Sequence, residues 1–145
     1  MTDDKLLRSV QRLSTALARL ERQQAARGGV SVSQLRVMIY LHESTQDGIR
    51  ISDLADDQGL AVSTMTRNLA LLEKKGWIDR RQGAEDKRTV LIALTDVGRE
   101  VAGGLQSTTL GQLSQIFHAF PAADRVERAV ALDRVAAALE DADDQ

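Results

Sequence analysis

The sequence contains no cysteine among its 145 residues. Disulfides, thiolate metal sites and thiol-based redox sensing are therefore excluded. One proline, one tryptophan, one tyrosine and two phenylalanines are present, so Ala, Leu and Val carry the apolar content, which favours helices. No run approaches the roughly 18 apolar residues that a membrane span needs. The N-terminal MTDDKLLRSV lacks the apolar core of a signal peptide, and a cytoplasmic protein is expected. With only His42 and His118 and no thiol, a metal centre would have to recruit carboxylates such as Glu43 or Asp47, so none is expected. No nucleophile–base pair or phosphate-cradling Gly loop is visible. Neither an enzyme nor a cofactor is expected.

The charges present are unevenly placed. The net charge is only −2, yet Arg67 to Arg88 is rich in Arg and Lys, and Asp124 to Asp144 is dominated by Asp and Glu. A basic middle and an acidic tail suggest that different parts meet different partners.

Hydrophobic periodicity divides the chain. Residues 4–27 predict an amphipathic helix with Leu6, Val10, Leu13, Leu17 and Leu20 on a stripe, stopped by Gly28 and Gly29. A second helix, capped by Ser31 or Ser33, turns Leu35, Met38, Ile39 and His42 inward. TQDGIR is a turn, and Ile49 to Ile51 predicts a short strand. ISDLADDQ is a short helix with Ser52 near its start and Gly59 past its end. Residues 60–76 predict a further helix. Val62, Met65, Leu69 and Leu72 face inward, Ser63, Arg67, Ala70 and Lys74 face outward, and Thr64, Thr66 and Leu71 lie beside them. Ala61 stands at its N-cap, where Ser or Asp would serve better. WIDRRQ (77–82) and RTVLIAL (88–94) predict a hairpin with a charged tip. Thr95 caps a long helix, Pro121 interrupts the pattern, and a last helix from Ala122 to about Leu139 carries Val126, Val130, Val135 and Leu139 on a stripe.

Two helices flanking QGLA form a helix-turn-helix whose second member presents hydroxyls and an arginine. Short Ser and Thr side chains let a helix approach base edges in the major groove, and the hairpin behind it is a wing whose tip meets the minor groove. The spacing of Asp86 and Arg88 predicts that the carboxylate pre-orients the guanidinium in a bidentate pair. The plain alternative is an exposed ion pair worth about 0–1 kcal/mol. Thr66 can instead bond its own backbone, and Arg80 and Arg81 suit phosphates or neighbouring carboxylates better than bases.

SQLRVMIYL, ISDLADDQGLAVSTMTRNLALLEKKGWIDR and EDKRTVLIALTDVGRE, in this order and spacing, resemble the MarR family of winged helix-turn-helix regulators. The last piece carries the family's Asp-x-Arg wing motif as Asp86-Lys87-Arg88. The resemblance implies a mainly α fold with a small β-hairpin wing. A winged helix-turn-helix domain would span residues 33–95, and a helical dimerisation region would comprise residues 1–32 and 96–145. It implies a homodimer on a near-palindromic operator in double-stranded DNA, repression more often than activation, and release by a small aromatic or phenolic effector. The DNA-binding residues expected on this basis are Ser63, Thr64, Thr66, Arg67, Lys74, Arg80, Asp86, Lys87 and Arg88. Tyr40 and His42 are candidates for lining the effector cleft, with core packing the plainer role for Tyr40. The competing function is a protein-interaction module that keeps the winged fold without DNA binding.

Overall fold

The computed structural model describes residues 2–143. Its elements are α1 (Thr2–Gly28), α2 (Val32–Glu43), β1 (Ile49–Arg50), α3 (Ile51–Gln58), α4 (Val62–Lys74), β2 (Ile78–Gln82), β3 (Val90–Leu94), α5 (Asp96–Phe117) and α6 (Ala122–Asp143). This is the mainly α architecture with a wing that the sequence predicts. No described helix is long and apolar enough to cross a membrane.

The hairpin is part of a three-stranded antiparallel sheet in the order β1-β3-β2. Ile49 pairs with Ile92 and Arg50 with Leu91, while β2 runs alongside β3 from Ile78↔Leu94 to Gln82↔Val90. The short strand expected over 49–51 ends one residue early, because Ile51 already opens α3. β3 is the central strand, and its Ile92, Ala93 and Leu94 are buried.

A single apolar core binds the sheet to α2, α3 and α4. Met38, Leu54, Met65, Leu69 and Ile92 are at most 1% exposed and meet within it. At about 25 cal/mol per Å² of apolar surface removed from water, such burial is the main stabilising contribution. The inner face of α2 is built from Leu35, Val37, Met38 and Leu41. Ile39 and His42, expected there, are only half-buried, since the helix rotates Val37 and Leu41 toward the core instead. Ser31, not Ser33, caps α2. Its hydroxyl accepts from the Gln34 backbone N–H, and the Gln34 side chain accepts from the Ser31 N–H, a complete capping box. At α3 the N-cap is Arg50, without a side-chain bond, rather than Ser52.

The chain forms two compact units, one ending at Ser107 and the other beginning at Thr108. In the first, α1 is tied to α2 by a bidentate pair: Arg36 Nε donates to Glu21 Oε2 at 2.7 Å and Nη2 donates to Oε1 at 2.9 Å. These bonds, above all, raise the Arg36 pKa against the opposing effect of burial. In the second unit, α6 runs longer than expected and buries none of its described residues. Val126 and Leu139 of its stripe are at least 60% exposed. Leu6, Leu13 and Leu17 of the α1 stripe are likewise exposed.

The start of α5 is locked to the root of the wing. Thr95 Oγ1 accepts from the Gly98 N–H at 3.0 Å and donates to the Gly76 carbonyl at 2.6 Å, and the Thr95 N–H donates to the Trp77 carbonyl at 3.0 Å. The expected cap therefore also serves as a joint. It brings Gly98 so close that a Cβ there would overlap the Trp77 carbonyl. Gly98→Ala is expected to destabilise by about 1–3 kcal/mol, the usual range for overpacking. Urea unfolding checks this, with Gly104→Ala as the control, because a Cβ at Gly104 meets nothing within 4 Å.

Candidate nucleic-acid interface

The second helix of the helix-turn-helix is positioned by a network of half-buried polar side chains at the edge of the core, with Gln34 buried beside them. Asn68 of α4 donates through Nδ2 to Ser33 Oγ at 2.9 Å, and that hydroxyl donates to Gln58 Oε1 of α3 at 2.6 Å. Gln58 Nε2 donates back to the Ser33 carbonyl at 3.1 Å. Gln34, 5% exposed, donates Nε2 to the Asn68 carbonyl at 3.3 Å. Apolar packing alone is non-directional. These bonds have directions, and they fix α4 in rotation and register against α2 and α3.

Held this way, α4 buries Met65, Leu69 and Leu72 and exposes Ser63, Arg67, Ala70, Leu71 and Lys74. Val62, expected on the inner face, is 50% exposed, because the first turn of α4 projects past the edge of the core. Among the described residues, no side-chain hydrogen bond or ion pair engages Ser63, Thr64, Arg67 or Lys74. Thr66 differs: its hydroxyl donates to the Val62 carbonyl at 2.8 Å, which commits its proton to its own helix. Ala61 provides no side-chain cap, and no acidic residue stands in the first turn of α4. By contrast α2 has its capping box, and α3 and α5 carry Asp53 and Asp96 there.

The wing begins with Arg80 and Arg81 held by carboxylates. Arg80 Nε donates to Glu73 Oε2 and Arg81 Nε to Asp79 Oδ1, each at 3.1 Å. Its tip closes through three bonds. The Gly83 N–H donates to the Thr89 carbonyl at 2.9 Å, the Thr89 N–H to the Asp86 carbonyl at 3.0 Å, and the Arg88 N–H to Asp86 Oδ1 at 3.0 Å. The bidentate Asp86–Arg88 pair expected from the spacing is not formed. Asp86 is the first residue of a turn over 86–89, and its carboxylate is aligned with a backbone donor two residues on, as in an Asx-turn. The backbone has taken the acceptor that the guanidinium was expected to use. Arg88 and Lys87 are exposed, and their side chains make no hydrogen bond or ion pair among the described residues. Gly83 is required by contact, since a Cβ there would lie 2.7 Å from the Asp86 carbonyl oxygen.

Tyr40 and His42 do not share a cavity. Tyr40 is half-buried against the core and borders a shallow groove with Glu43 and Gln46. His42 lines a separate cavity of about 170 Å³ with Ser44, Asp47, Arg81 and Arg99. Its buried Nδ1 has no hydrogen-bond partner. Among the described residues, no group of three or more His, Asp or Glu could hold a metal ion.

Residues 30–90, which include all of this except the His42 cavity's α5 and β3 walls, match the sequence model of the MarR family. In this segment the chain is similar to the MarR family. YdgJ, an uncharacterized HTH-type transcriptional regulator of Bacillus subtilis (strain 168), is 40% identical over 72 residues, covering 50% of this chain and 43% of YdgJ. The transcriptional repressor MprA of Escherichia coli (strain K12) is 32% identical over 72 residues, covering 50% of this chain and 41% of MprA. The match thus spans less than half the length of either relative. MepR of S. aureus, solved in complex with DNA, superposes with a TM-score of 0.71 at 20% identity, over 88% of this chain and 96% of MepR. The fold shared with MepR therefore extends over most of the chain, beyond the matched segment.

Sequence reasoning missed the Ser33–Asn68–Gln58 network, although Gln34 and Asn68, polar residues bordering apolar faces, were its visible signal. Asn68→Ala is expected to cost about 0.5–1.5 kcal/mol, as for loss of a half-buried hydrogen bond. A double-mutant cycle with Ser33→Ala, followed by urea unfolding, is expected to return a coupling energy of at least about 0.5 kcal/mol.

Proposed function

We propose that this protein is a dimeric, sequence-specific, DNA-binding transcription regulator, and a repressor in the manner of its relative MprA. One observation carries the proposal. The lobe exposes two cationic elements that the fold leaves without carboxylate partners among the described residues: Arg67 with Ser63 and Thr64 on α4, and Arg88 with Lys87 at the tip of a tightly closed wing. Arg80 and Arg81, a few residues away, are both paired, whereas Arg67 and Arg88 are not. In this reading the first turns of α4 enter a major groove, Lys74 and Arg80 approach phosphates, and Arg88 enters the adjacent minor groove. Asp86 acts through the turn it closes rather than through a charge pair.

A homodimer on a near-palindromic operator follows from the same proposal. Support comes from apolar surface left uncovered on α1, at Leu6, Leu7, Leu13 and Leu17, and within the second unit at Leu110, Ile116, Phe117 and Val126. Patches of this kind mark association surfaces. Release by a small organic effector is supported by the cavity beside His42, where an unpartnered Nδ1 and the Arg99 guanidinium suit an acidic ligand.

The experiment is electrophoretic or anisotropy titration against the gene's own upstream DNA and against duplexes selected from a random pool, at several salt concentrations. Affinity is expected to fall steeply with salt through counterion release. Arg88→Ala is expected to weaken binding by about ten- to a hundred-fold and to lower the salt slope by about one. Asp86→Asn keeps the Oδ1 acceptor and is expected to bind like the wild type, whereas Asp86→Ala loses about three- to ten-fold through its loosened turn. Binding that is insensitive to salt, or that selects no DNA, would leave the winged fold as a protein-interaction module. Sedimentation of the purified protein is expected to give twice the chain mass. A monomer at micromolar concentration would remove the dimer from the proposal.

A further inference from the structure

The outward surface of α4 has two rows of side chains with different chemistry. One row, Ser63–Arg67–Lys74, is polar and cationic. The row beside it, Val62–Thr66–Ala70, follows the four-residue spacing of a helix ridge. Ala70 is exposed and Thr66 half-buried. Val62 is half exposed, at the first position of the helix. Thr66 belongs to this row by chemistry as well as by position. Its hydroxyl is turned back onto the Val62 carbonyl at 2.8 Å, so the group left to face outward is the γ-methyl. The row is thus an isopropyl group, a methyl group and a second methyl group, with no polar hydrogen to offer.

An exposed β-branched apolar residue at the tip of a helix gains nothing from water. The nearby core has not claimed it, since Met65, Leu69 and Leu72 already fill the inner face. In the major groove, one base presents an apolar feature on its edge: thymine, through its C5-methyl. The Cβ atoms of residues four apart on a helix lie about 5–6 Å from one another, within reach of methyl groups on successive base pairs stacked about 3.4 Å apart. Resting on the proposal that α4 enters a major groove, we propose that Val62 and Thr66 read thymine C5-methyl groups on neighbouring base pairs. Arg67, on the adjoining row, bonds the guanine or phosphate beside them. The row then selects T over C at those steps, because cytosine puts a hydrogen in place of the methyl and the row's apolar groups lose their contact.

The test uses the full chain and a duplex obtained by selection from random DNA. Each thymine of one half-site is replaced in turn by deoxyuridine, which removes the methyl and leaves the pairing edge intact. The wild type is expected to lose about four-fold in affinity at one or two thymines, the value for one buried methyl group. Val62→Ala, an exposed substitution that leaves the core untouched, is expected to bind more weakly on the thymine duplex and to be indifferent to deoxyuridine at one of those positions. Thr66→Val keeps the methyl and is expected to retain affinity, whereas Thr66→Ser keeps the hydroxyl bond, loses the methyl and is expected to bind about four-fold more weakly. Wild-type affinity that is unmoved by deoxyuridine at every thymine would overturn the inference while leaving DNA binding in place. So would the opposite order at Thr66, with Ser retained and Val weakened, because the hydroxyl would then be the reading group. Failure to select any duplex with salt-sensitive binding would show instead that the DNA-binding proposal had failed, and this inference with it.

Discussion

The hydrogen bond from Asn68 to Ser33 sets the orientation on which the rest of the lobe depends. Without it, α4 would have a greasy face and a choice of rotations. Leu69 and Leu72 could slide a fraction of a turn against α2 and α3 at little cost, since apolar contact has no preferred direction. The Ser33 hydroxyl accepts from Asn68 and donates to Gln58, so one small side chain joins three helices. Gln34 adds a fourth point by reaching the Asn68 carbonyl. A half-satisfied network of this sort would weaken the fold, but here the donors and acceptors close on one another. The rotation they impose decides which α4 residues face solvent, and therefore which of them can meet a partner.

Much of this architecture is legible in the sequence because local chemistry and global packing agree. Glycine marks the stops of α1, α3 and α4, Thr95 caps α5, and the alternation of Val90 to Leu94 gives the central strand. The failures have specific causes. Val62 lies at the edge of the inner arc on a helical wheel, but a wheel has no length, and the core ends one turn short of it. Ser31 and Ser33 are equally plausible caps by residue type. Only the partner at Gln34, and the competing demand of Asn68 and Gln58 for Ser33, separates them. Asp86 two residues before Arg88 suits both an ion pair and an Asx-turn, and the second is available to the backbone without ordering a long side chain. The stripe on α6 is real as a pattern, yet periodicity cannot say what covers it. In the described chain nothing buries it.

The distribution of paired and unpaired cations also has a physical logic. Where Arg80 and Arg81 meet Glu73 and Asp79, their charge is locally balanced, and exposed pairs of that sort add little stability. Arg36 is held by both oxygens of Glu21 and joins α1 to α2. In the winged lobe, Arg36, Arg80 and Arg81 thus each have a carboxylate within reach, whereas Arg67 on the outer face of α4 and Arg88 at the wing tip do not. Helix α4 repeats the pattern at its N-terminus, which carries neither a capping side chain nor an acidic residue in its first turn.

The closure of the wing tip has a kinetic consequence. All three bonds that shape it join residues between Gly83 and Thr89, so its conformation is written into a segment of chain too short to require the core. Loops of this size close within about 10–100 ns. The tip can therefore open and re-form many times during a single encounter with a partner, while the helices beneath it, tied by contacts distant in sequence, stay in place. Its shape is restored by diffusion over a few ångströms rather than by refolding of the lobe.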